Sequence, residues 1–354
     1  MKIDNLINYF PYEFSKKKKT DYFVNRIKEL TDLHKDKCKE YEKILNIIYT
    51  KNFKNKNLTD FPFLPTQLFK RFDLKSTHEN MVVKKITSSG TSGNALSKIY
   101  LDKENANNQI KVLSKIMSTI FGNKRLPMLI VDKELTLKSR NTFNARVAAI
   151  QGFSIFGTDH TYLLDKNNKI NYSILNNFLE KFSKKPFIIF GFTSSIYENL
   201  IKNLSINSVQ KELHNGILLH GGGWKKLEKL KISNKKFKQE LNKKLKIRNI
   251  YNYYGLVEQT GSLFVESKKC GYFHTTIYSE IIIRDEKFNV LKNGKKGLIQ
   301  LLSLLPTSYP GHNILTEDIG VIVGEDDCKC GLKGKYFLVH GRAKNSETRG
   351  CGNI

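Results

Sequence analysis

Apolar side chains recur at every third or fourth position over the first sixty residues, among charged and polar ones. Seven residues carry this stripe: Tyr22, Ile27, Leu30, Leu33, Tyr41, Leu45 and Ile48. The spacing predicts that residues 1–60 are mainly helical. Pro62 and Pro65 follow, and because a residue before proline avoids the helical region, they predict an extended segment after the helices.

From residue 81 onward, short apolar runs alternate with stretches of helical spacing. The runs predict strands at Met81–Ile86, Pro127–Val131, Pro186–Phe190, Gly216–Leu219 and Ile247–Tyr254. Small residues at Ala145–Gly152 indicate the end of a helix, and the lysine-rich stretch 225–246 predicts an amphipathic helix. Strands that alternate with helices favour an α/β fold with a largely parallel sheet.

After Gly271 the pattern changes to short strands with turns between them. Strands are predicted at Tyr278–Arg284, Gly297–Leu305 and Asp318–Val323. We therefore expect three parts: a helical N-terminal segment with an α/β body over 1–270, a smaller β-rich lobe of the same body over 271–340, and a mobile tail over 341–354.

The composition supports a folded chain with an unusual charge. Of 354 residues, 40% are hydrophobic and 11% aromatic, which is enough for a sizeable core and too many for a wholly disordered chain. Lys plus Arg total 60 against 33 Asp plus Glu, a net charge of +27. No repeat of basic and aromatic residues suits base stacking. We therefore expect anionic small molecules such as nucleotides as partners, rather than nucleic acid.

The sequence also bears on location. No apolar run approaches the ~20 residues of a membrane-spanning helix, and the N-terminus MKIDNLINYF lacks the apolar core of a signal peptide. Five cysteines are an odd number, in a chain too large to depend on disulfides. These features predict a cytoplasmic protein with reduced thiols and no membrane span, and they leave open whether it forms a homo-oligomer.

A turn rich in glycine and hydroxyl residues follows the first predicted strand. After Thr87 it reads Ser88, Ser89, Gly90, Thr91, Ser92 and Gly93. Backbone N–H groups and hydroxyls of such a turn can surround a phosphate, and glycine lets the main chain approach closely. The spacing is neither that of a Walker loop nor that of a Rossmann fingerprint. The alternative is an ordinary surface loop.

Three later segments make a phosphate-binding role more specific. His220–Trp224 places three glycines after a predicted strand, where α/β sheets bind ligands. Tyr251–Gly261 places aromatic residues and one carboxylate after another strand. Thr316–Gly320 places acids at a predicted turn in the smaller lobe. We expect Trp224, the single tryptophan, to be a packing residue.

Taken in order, these motifs resemble the adenylate-forming superfamily and, more closely, its LuxE-type acyl-protein synthetases. Five segments carry the resemblance: FPFLPTQLFK (61–70), HGGGWKK (220–226), YGLVEQTGSLF (254–264), LLPTSYPGHNILTEDIG (304–320) and GRAKNSETRGCGN (341–353). The resemblance covers nearly the whole chain. It implies an α/β fold with a large adenylate-forming body, in which the superfamily's C-terminal lid domain is absent or truncated.

The resemblance also implies a reaction. ATP and Mg²⁺ would activate a carboxylic acid, a fatty acid in the luminous bacteria, to an acyl adenylate that a protein cysteine then captures. The partner would be an acyl-accepting or reductase protein. Two alternatives stay open: an acyl-CoA ligase of the phenylacetate-CoA ligase type, and a basic scaffold that has kept the fold without the activity.

Site residues follow from positions that match the family's motifs. The resemblance assigns the ATP phosphates to Ser88–Gly93, Mg²⁺ to Glu258, the adenine to Tyr254, the adenine and acyl site to Gly221, Gly222 and Gly223, the ribose to Asp318, the ribose or a phosphate to Arg342, and the acyl group to Cys351. Glu258 has two plainer interpretations, as a helix cap or as the partner of a lysine.

This chain also departs from the superfamily's pattern. Lys98 lies five residues after Gly93 rather than three, and Val257 stands where a threonine is common. Because the chain ends soon after Arg342, the lid's adenylation lysine is expected to be absent. Lys225 or Lys226 would then neutralise the α-phosphate.

The cysteines offer a second constellation. Cys270 precedes His274 by four residues, and Cys328 precedes Cys330 by two. Three thiols and an imidazole match the ligand count of a closed tetrahedral zinc site. The alternative is four unrelated residues of a cytosolic protein. If present, the zinc would be structural and would join two turns of the β-rich lobe.

Overall fold

In this computed structural model the chain is described over residues 3–49, 57–88, 96–134, 142–209, 212–224, 230 and 232–343. Its α-helices are α1 (Ile3–Leu6), α2 (Lys16–Lys37), α3 (Lys39–Ile48), α4 (Leu68–Arg71), α5 (Lys103–Phe121), α6 (Ala145–Ser154), α7 (Tyr172–Phe182), α8 (Thr193–Ile196) and α9 (Asn234–Leu245). Short 3₁₀ turns occur at Leu58–Asp60, Glu79–Met81, Ile206–Ser208 and Val257–Gln259, and residues Tyr197–Asn203 form a π-helix.

The strands lie mainly where the apolar runs predict them. They are β1 (Leu64–Pro65), β2 (Val82–Thr87), β3 (Lys98–Asp102), β4 (Leu126–Lys133), β5 (Thr142–Asn144), β6 (Gly157–Leu164), β7 (Phe187–Phe192), β8 (Gly216–Gly221), β9 (Asn249–Tyr254), β10 (Phe264–Glu266), β11 (Phe273–His274), β12 (Ser279–Arg284), β13 (Gly297–Ser303), β14 (Asn313–Glu325) and β15 (Lys335–Arg342). The α/β class and the helices of the N-terminal segment are thereby confirmed.

The chain divides into two compact units that do not follow the boundaries predicted at residues 270 and 340. One unit comprises residues 1–116, 141–144 and 255–347, and the other includes 117–140 and 145–254. The N-terminal helices therefore belong with the β-rich lobe rather than with the predicted body. Tyr22, for example, donates its hydroxyl to the carbonyl of Ile277 over 2.6 Å.

The second unit contains a parallel sheet in the order β9-β8-β7-β4-β6. Every residue of β7 is buried, as expected for a strand covered on both faces. Helix α9 begins at residue 234, after the predicted start at 225, because Ser233 caps it by accepting a hydrogen bond from the Lys236 N–H over 3.2 Å. Its apolar residues Phe237, Leu241 and Leu245 are buried in this unit's core.

In the first unit, β12-β13-β14-β15-β11-β10 form antiparallel neighbours, and β1 adds to β14 in parallel. A separate three-stranded sheet has the order β3-β2-β5. Among the described helices, none combines the length and the apolar content needed to cross a membrane.

A buried ion cluster joins α2 to the β-rich lobe. The Lys19 ammonium lies 3.0 Å from one carboxylate oxygen of Glu280, and the Lys335 ammonium lies 3.4 Å from the other. Lys19 also donates to the carbonyl of Ser279 over 2.6 Å. Burial alone raises the pKa of Glu280, but the two lysines outweigh it and lower that pKa to about 2.

Replacing this carboxylate tests the cluster. Since its pKa is about 2 in the folded chain and ~4.3 when unfolded, its stabilising effect is complete above the unfolded value and disappears as the pH falls towards 2. We expect Glu280→Gln to lose about 3–5 kcal/mol of unfolding free energy at neutral pH, because Lys19 stays buried without its anion. Urea unfolding from neutral to acid pH should show this difference shrinking as the pH falls.

Glu286→Gln is the matched control, since Glu286 is exposed in the turn after β12. It should change the unfolding free energy by less than about 0.5 kcal/mol. A difference between wild type and Glu280→Gln that stays constant down to pH ~3 would show that the carboxylate is not held ionised by the lysines.

Candidate active site

Glu258 lies in the 3₁₀ turn Val257–Gln259 and is 2% exposed. A buried carboxylate is costly unless donors face it. The Ser97 hydroxyl supplies one, donating to Glu258 Oε1 over 2.6 Å. Ser97, which is itself fully buried, precedes β3. The one acid of the YGLVEQTG segment is therefore held by a serine that lies four residues after the glycine-rich motif.

Ser97 is also joined to Ser88, the first residue of the glycine-rich motif. The Ser97 N–H donates to the hydroxyl of Ser88 over 2.9 Å, and the Ser88 N–H donates to the carbonyl of Ser97 over 3.0 Å. Ser88 is buried. A chain of hydrogen bonds thus runs from Ser88 through Ser97 to Glu258. Ser89, Gly90, Thr91, Ser92 and Gly93 lie outside the described residues.

The glycine-rich motif and Glu258 follow strands of two different sheets. Ser88 follows β2, which belongs to the three-stranded sheet, whereas Glu258 follows β9, which belongs to the parallel sheet. β2 pairs antiparallel with β3, the next strand along the chain, whereas β9 pairs in parallel with β8.

Lys98, whose spacing after Gly93 departs from the superfamily's pattern, forms an ion pair in the structure. Its ammonium pairs with Asp73 Oδ1 at 2.9 Å, and the hydroxyl of Tyr100 donates to the same oxygen over 2.9 Å. These hydrogen bonds lower the pKa of Asp73. The lysine with the unusual spacing after Gly93 therefore has a carboxylate partner, Asp73, in the structure.

Residues around Glu258 fix its turn. Gln259 donates its side-chain amide to the carbonyls of Leu301 and Gly311 over 3.0 and 2.8 Å. A Cβ on Gly311 would lie 2.5 Å from the carbonyl oxygen of Glu258, so a larger residue would displace the turn. Sequence analysis missed Ser97 and Gly311 as site residues. In the sequence, Ser97 is only a serine before a strand, and Gly311 is one of two glycines in the segment 304–320. Neither position indicates a contact with Glu258.

Asp318 and Arg342 are brought together, but not at a turn. Both predicted ribose residues lie in strands, β14 and β15, and they are register partners. Arg342 Nε lies 3.7 Å from Asp318 Oδ1, and a second nitrogen of Arg342 lies 3.7 Å from Glu317. The predicted turn at Thr316–Gly320 is wrong because β13 and β15 pair with this segment on both sides, with irregular register beside Ile319.

The predicted glycines lie at the carboxyl end of β8. Gly221 ends the strand, and a Cβ there would lie 2.5 Å from the Tyr253 ring, so this glycine makes room for an aromatic neighbour. Gly222 has a φ of +77°, which favours glycine. A Cβ on Gly223 would meet no described atom within 4 Å. Tyr254, the last residue of β9, is half-buried.

The residues that flank these glycines are packed. His220 is buried, its Nδ1 lies 3.0 Å from the Thr193 hydroxyl, and burial lowers its pKa to about 3, so the ring is neutral at neutral pH. Trp224 packs edge-on against Tyr197 at 4.9 Å and against Phe237 at 6.1 Å. The prediction that Trp224 is a packing residue is confirmed. Lys225, Lys226 and Cys351 lie outside the described residues.

The four predicted zinc ligands do come together. The ligand atoms of Cys270, His274, Cys328 and Cys330 all lie within 4.8 Å of one another. His274 Nε2 is 3.3 Å from the Cys270 sulfur and 3.4 Å from the Cys330 sulfur. Burial raises the pKa of Cys328 to about 12 and lowers that of His274 to about 4. The remaining described cysteine, Cys38, is buried elsewhere.

Comparison with known proteins confirms the resemblance. The family model "Acyl-protein synthetase, LuxE" matches residues 1–354. A comparison with curated proteins finds no match.

Solved structures agree on the fold. An open conformation of 2-hydroxyisobutyryl-CoA ligase, in complex with 2-HIB-AMP and CoA, superposes with a TM-score of 0.72 at 12% identity over 96% of this chain and 81% of that one. Its thioesterification state gives 0.70 at 12% identity, over 95% and 73%. The amide bond synthetase McbA from Marinactinospora thermotolerans gives 0.50 at 12% identity over 75% of this chain, which spans half the length of McbA. The fold is therefore that of adenylate-forming ligases.

The Ser97–Glu258 hydrogen bond can be measured by a double-mutant cycle. We expect Ser97→Ala and Glu258→Ala each to lower the unfolding free energy, and the two changes to couple by about 1.5–3 kcal/mol, the range of hydrogen bonds to charged groups. Urea unfolding of the wild type, both single variants and the double variant gives this coupling. A coupling below about 0.5 kcal/mol would show that the two side chains act independently.

Proposed function

Because the chain belongs to the LuxE family of acyl-protein synthetases, we propose that it activates a carboxylic acid with ATP and passes the acyl group to a protein cysteine. A fatty acid is the proposed substrate class. The structural observation that carries the proposal is the hydrogen-bond chain from Ser88 through Ser97 to Glu258. It links Ser88, the first residue of the proposed phosphate-binding motif, to the one buried acid of the YGLVEQTG segment.

The first proposed step forms a mixed anhydride. A carboxylate oxygen of the acid attacks the α-phosphorus of ATP, the bond to the β-phosphate oxygen breaks, and pyrophosphate leaves. In the second step a thiolate attacks the acyl carbon, the acyl–phosphate bond breaks, and AMP leaves with the electron pair. The balance needs no further reactant than ATP, the acid and a thiol.

The residues of this chain have defined roles in the proposal. Backbone N–H groups and hydroxyls of Ser88–Gly93 bind the phosphates of ATP. Asp318 accepts hydrogen bonds from the ribose, and Arg342, which lies 3.7 Å from Asp318, orients that carboxylate or contacts a phosphate. Tyr254 and Gly221–Gly223 border the adenine and acyl groups. Lys225 lowers the charge at the α-phosphate.

Glu258 fits a role as Mg²⁺ ligand. Mg²⁺ prefers carboxylate and other oxygen ligands, and a carboxylate has about four lone-pair positions, so the hydrogen bond from Ser97 is compatible with a cation on the same group. When bound, Mg²⁺ supplies charge neutralisation of the phosphates. The Ser97 hydroxyl holds the Glu258 carboxylate in one orientation and thereby favours a single coordination geometry.

Cys351 is the proposed acyl acceptor, and the other thiols support this by their surroundings. Cys38 is 1% exposed, and burial raises the pKa of its thiol. Cys270, Cys328 and Cys330 lie against one another and against His274. An acceptor thiol has to reach an acyl adenylate and act as thiolate. Cys351 stands between two glycines and near Arg349, which suits such a thiol.

The metal role of Glu258 is tested by an isosteric change. Glu258→Gln keeps the volume and an acceptor for the Ser97 hydroxyl but removes the anionic oxygen that Mg²⁺ needs. We expect acid-dependent pyrophosphate release to fall at least about 100-fold. Release is measured with ATP, Mg²⁺ and a panel of fatty acids of different chain length.

Glu286→Gln is the control for this loss, and circular dichroism and thermal unfolding of both variants establish that they are folded. Turnover of Glu258→Gln within a few-fold of the wild type would remove Glu258 from the metal site. Absence of acid-dependent pyrophosphate release in the wild type, with every acid tested, would favour the alternative of a basic scaffold.

The acceptor is tested separately. We expect Cys351→Ser to keep acid-dependent pyrophosphate release but to lose the acyl group that neutral hydroxylamine removes from the wild type, because a serine ester resists that treatment. The protein is incubated with ATP and labelled fatty acid before hydroxylamine is added, and the label is followed by mass spectrometry.

Cys38→Ser is the matched control, because serine is a good residue at the N-cap of α3 that Cys38 occupies. It should be acylated like the wild type. A hydroxylamine-sensitive acyl group at the wild-type level on Cys351→Ser would place the acceptor elsewhere. Release of acyl-CoA when coenzyme A replaces the protein acceptor would favour the acyl-CoA ligase alternative.

A further inference from the structure

The four cysteine and histidine ligand atoms of the β-rich lobe form a group with the chemistry of a structural metal site. We propose that one Zn²⁺ is bound by Cys270, His274, Cys328 and Cys330. This metal would stabilise the turn between β14 and β15, and that turn fixes the start of helix α2. The inference is independent of the proposed enzymatic function, because none of these residues belongs to the nucleotide or acyl site described above.

The spacing of the ligand atoms suits a tetrahedral ion. Zn–S bonds of ~2.3 Å and Zn–N bonds of ~2.1 Å give ligand-to-ligand distances of roughly 3.5–3.8 Å in a tetrahedron. The observed pairs include 3.2 Å between the sulfurs of Cys328 and Cys330 and 3.3 Å between the Cys270 sulfur and His274 Nε2. All four atoms lie within 4.8 Å of one another, so the widest pair would close by up to about 1 Å, or about half an ångström for each atom, on binding the ion.

The fold, rather than local sequence alone, creates this group. Cys270 lies between β10 and β11, His274 ends β11, and Cys328 and Cys330 lie between β14 and β15. Because β11 pairs with β15, with His274 opposite Tyr336, the two hairpin ends meet. Each hairpin thus contributes two ligands, and a metal ion would cross-link them.

The imidazole of His274 supports a metal rather than a hydrogen-bonded cluster. The ring is fully buried, and its Nδ1 has no hydrogen-bond partner among the described atoms. Its Nε2 lies against the sulfurs of Cys270 and Cys330, which are weak hydrogen-bond partners. A bond from Nε2 to a metal ion would offset the cost of burying a polar ring with such weak partners.

The surrounding charge also suits a zinc site. Three thiolates and one neutral imidazole around Zn²⁺ carry a net charge of −1. Lys268, Lys269, Lys329 and Lys333 all lie within three residues of a ligating cysteine. With three sulfurs and one nitrogen filling the four positions, the site is closed, and such closed sites are structural rather than catalytic.

The turn between β14 and β15 also caps the N-terminus of α2. The N-cap residue of α2, Ser15, makes no side-chain cap hydrogen bond. Instead the carboxylate of Asp326, two residues before Cys328, accepts from the Lys16 N–H over 2.8 Å. Its other oxygen accepts from the Gly334 N–H over 2.8 Å, which ties the turn together. A negative charge at a helix N-terminus is stabilising.

The same turn holds the chain just before α2. The Lys333 N–H donates to the carbonyl of Tyr12 over 2.9 Å, and the buried Tyr12 ring meets the His274 ring edge-on at 6.4 Å. Zinc at the cluster would therefore stabilise two hairpin ends directly, and through Asp326 and Lys333 also the segment that leads into α2.

The first test is the metal content of the full-length protein, purified without chelators. We expect about one equivalent of zinc in the wild type and less than a fifth of that in Cys328→Ser, with X-ray absorption showing three sulfurs and one nitrogen around the metal. Cys38→Ser, which changes a buried cysteine outside the cluster, should retain the wild-type zinc. A disulfide between Cys328 and Cys330, or iron instead of zinc, would overturn the proposal.

The second test concerns the link to α2 and uses the intact protein with and without a zinc chelator. We expect amide hydrogen exchange at residues 16–19 and 333–335 to become at least about tenfold faster after zinc removal, and to return when zinc is added back. Exchange in β7, which belongs to the other compact unit, should not change. Loss of zinc without faster exchange at residues 16–19 would overturn the link, and unchanged exchange at all these residues would overturn the structural role.

Discussion

A buried carboxylate needs donors, and in this protein that requirement organises the candidate site. Glu258 is removed from solvent, so its charge has to be compensated by groups that the fold brings to it. The Ser97 hydroxyl is one such donor, and it lies 161 residues away in sequence. Since Ser97 also bonds to Ser88 through its backbone, the position of the carboxylate and the position of the turn's two ends are set together.

The same principle operates at the N-terminal segment. Lys19 is buried and has its anion on β12, and the N-terminus of α2 has its cap in the turn after β14. Both partners lie more than 250 residues away in sequence. The helices of the first fifty residues are therefore completed by the β-rich lobe, which explains why these regions belong to one compact unit although opposite ends of the sequence encode them.

Sequence periodicity predicted the N-terminal helices, α9 and eight of the fifteen strands in the described part of the chain, because burial of one face is a local property that repeats along the chain. It missed β6, whose central residues Asp159 and His160 are exposed, and it shortened β14, whose acids resemble a turn. Motif order predicted the family. Periodicity could not predict the pairing of Asp318 with Arg342, because it depends on strand register. Nor could it predict the hydrogen bond from Ser97 to Glu258, because these residues are 161 positions apart in sequence. The cysteine cluster was predictable because each half is local, as Cys270 with His274 and Cys328 with Cys330.

The surroundings of the cysteines connect stability with the proposed chemistry. A thiol that accepts an acyl group has to be accessible and has to attack as the thiolate. A thiol that binds a metal has to be held in place. Cys38 is buried, and Cys270, Cys328 and Cys330 lie packed with a histidine. If zinc occupies that cluster, it also prevents these three thiols from competing for the acyl group. A chain that forms thioesters benefits from this separation, because an acyl group captured by a structural cysteine would disrupt the turn that caps α2.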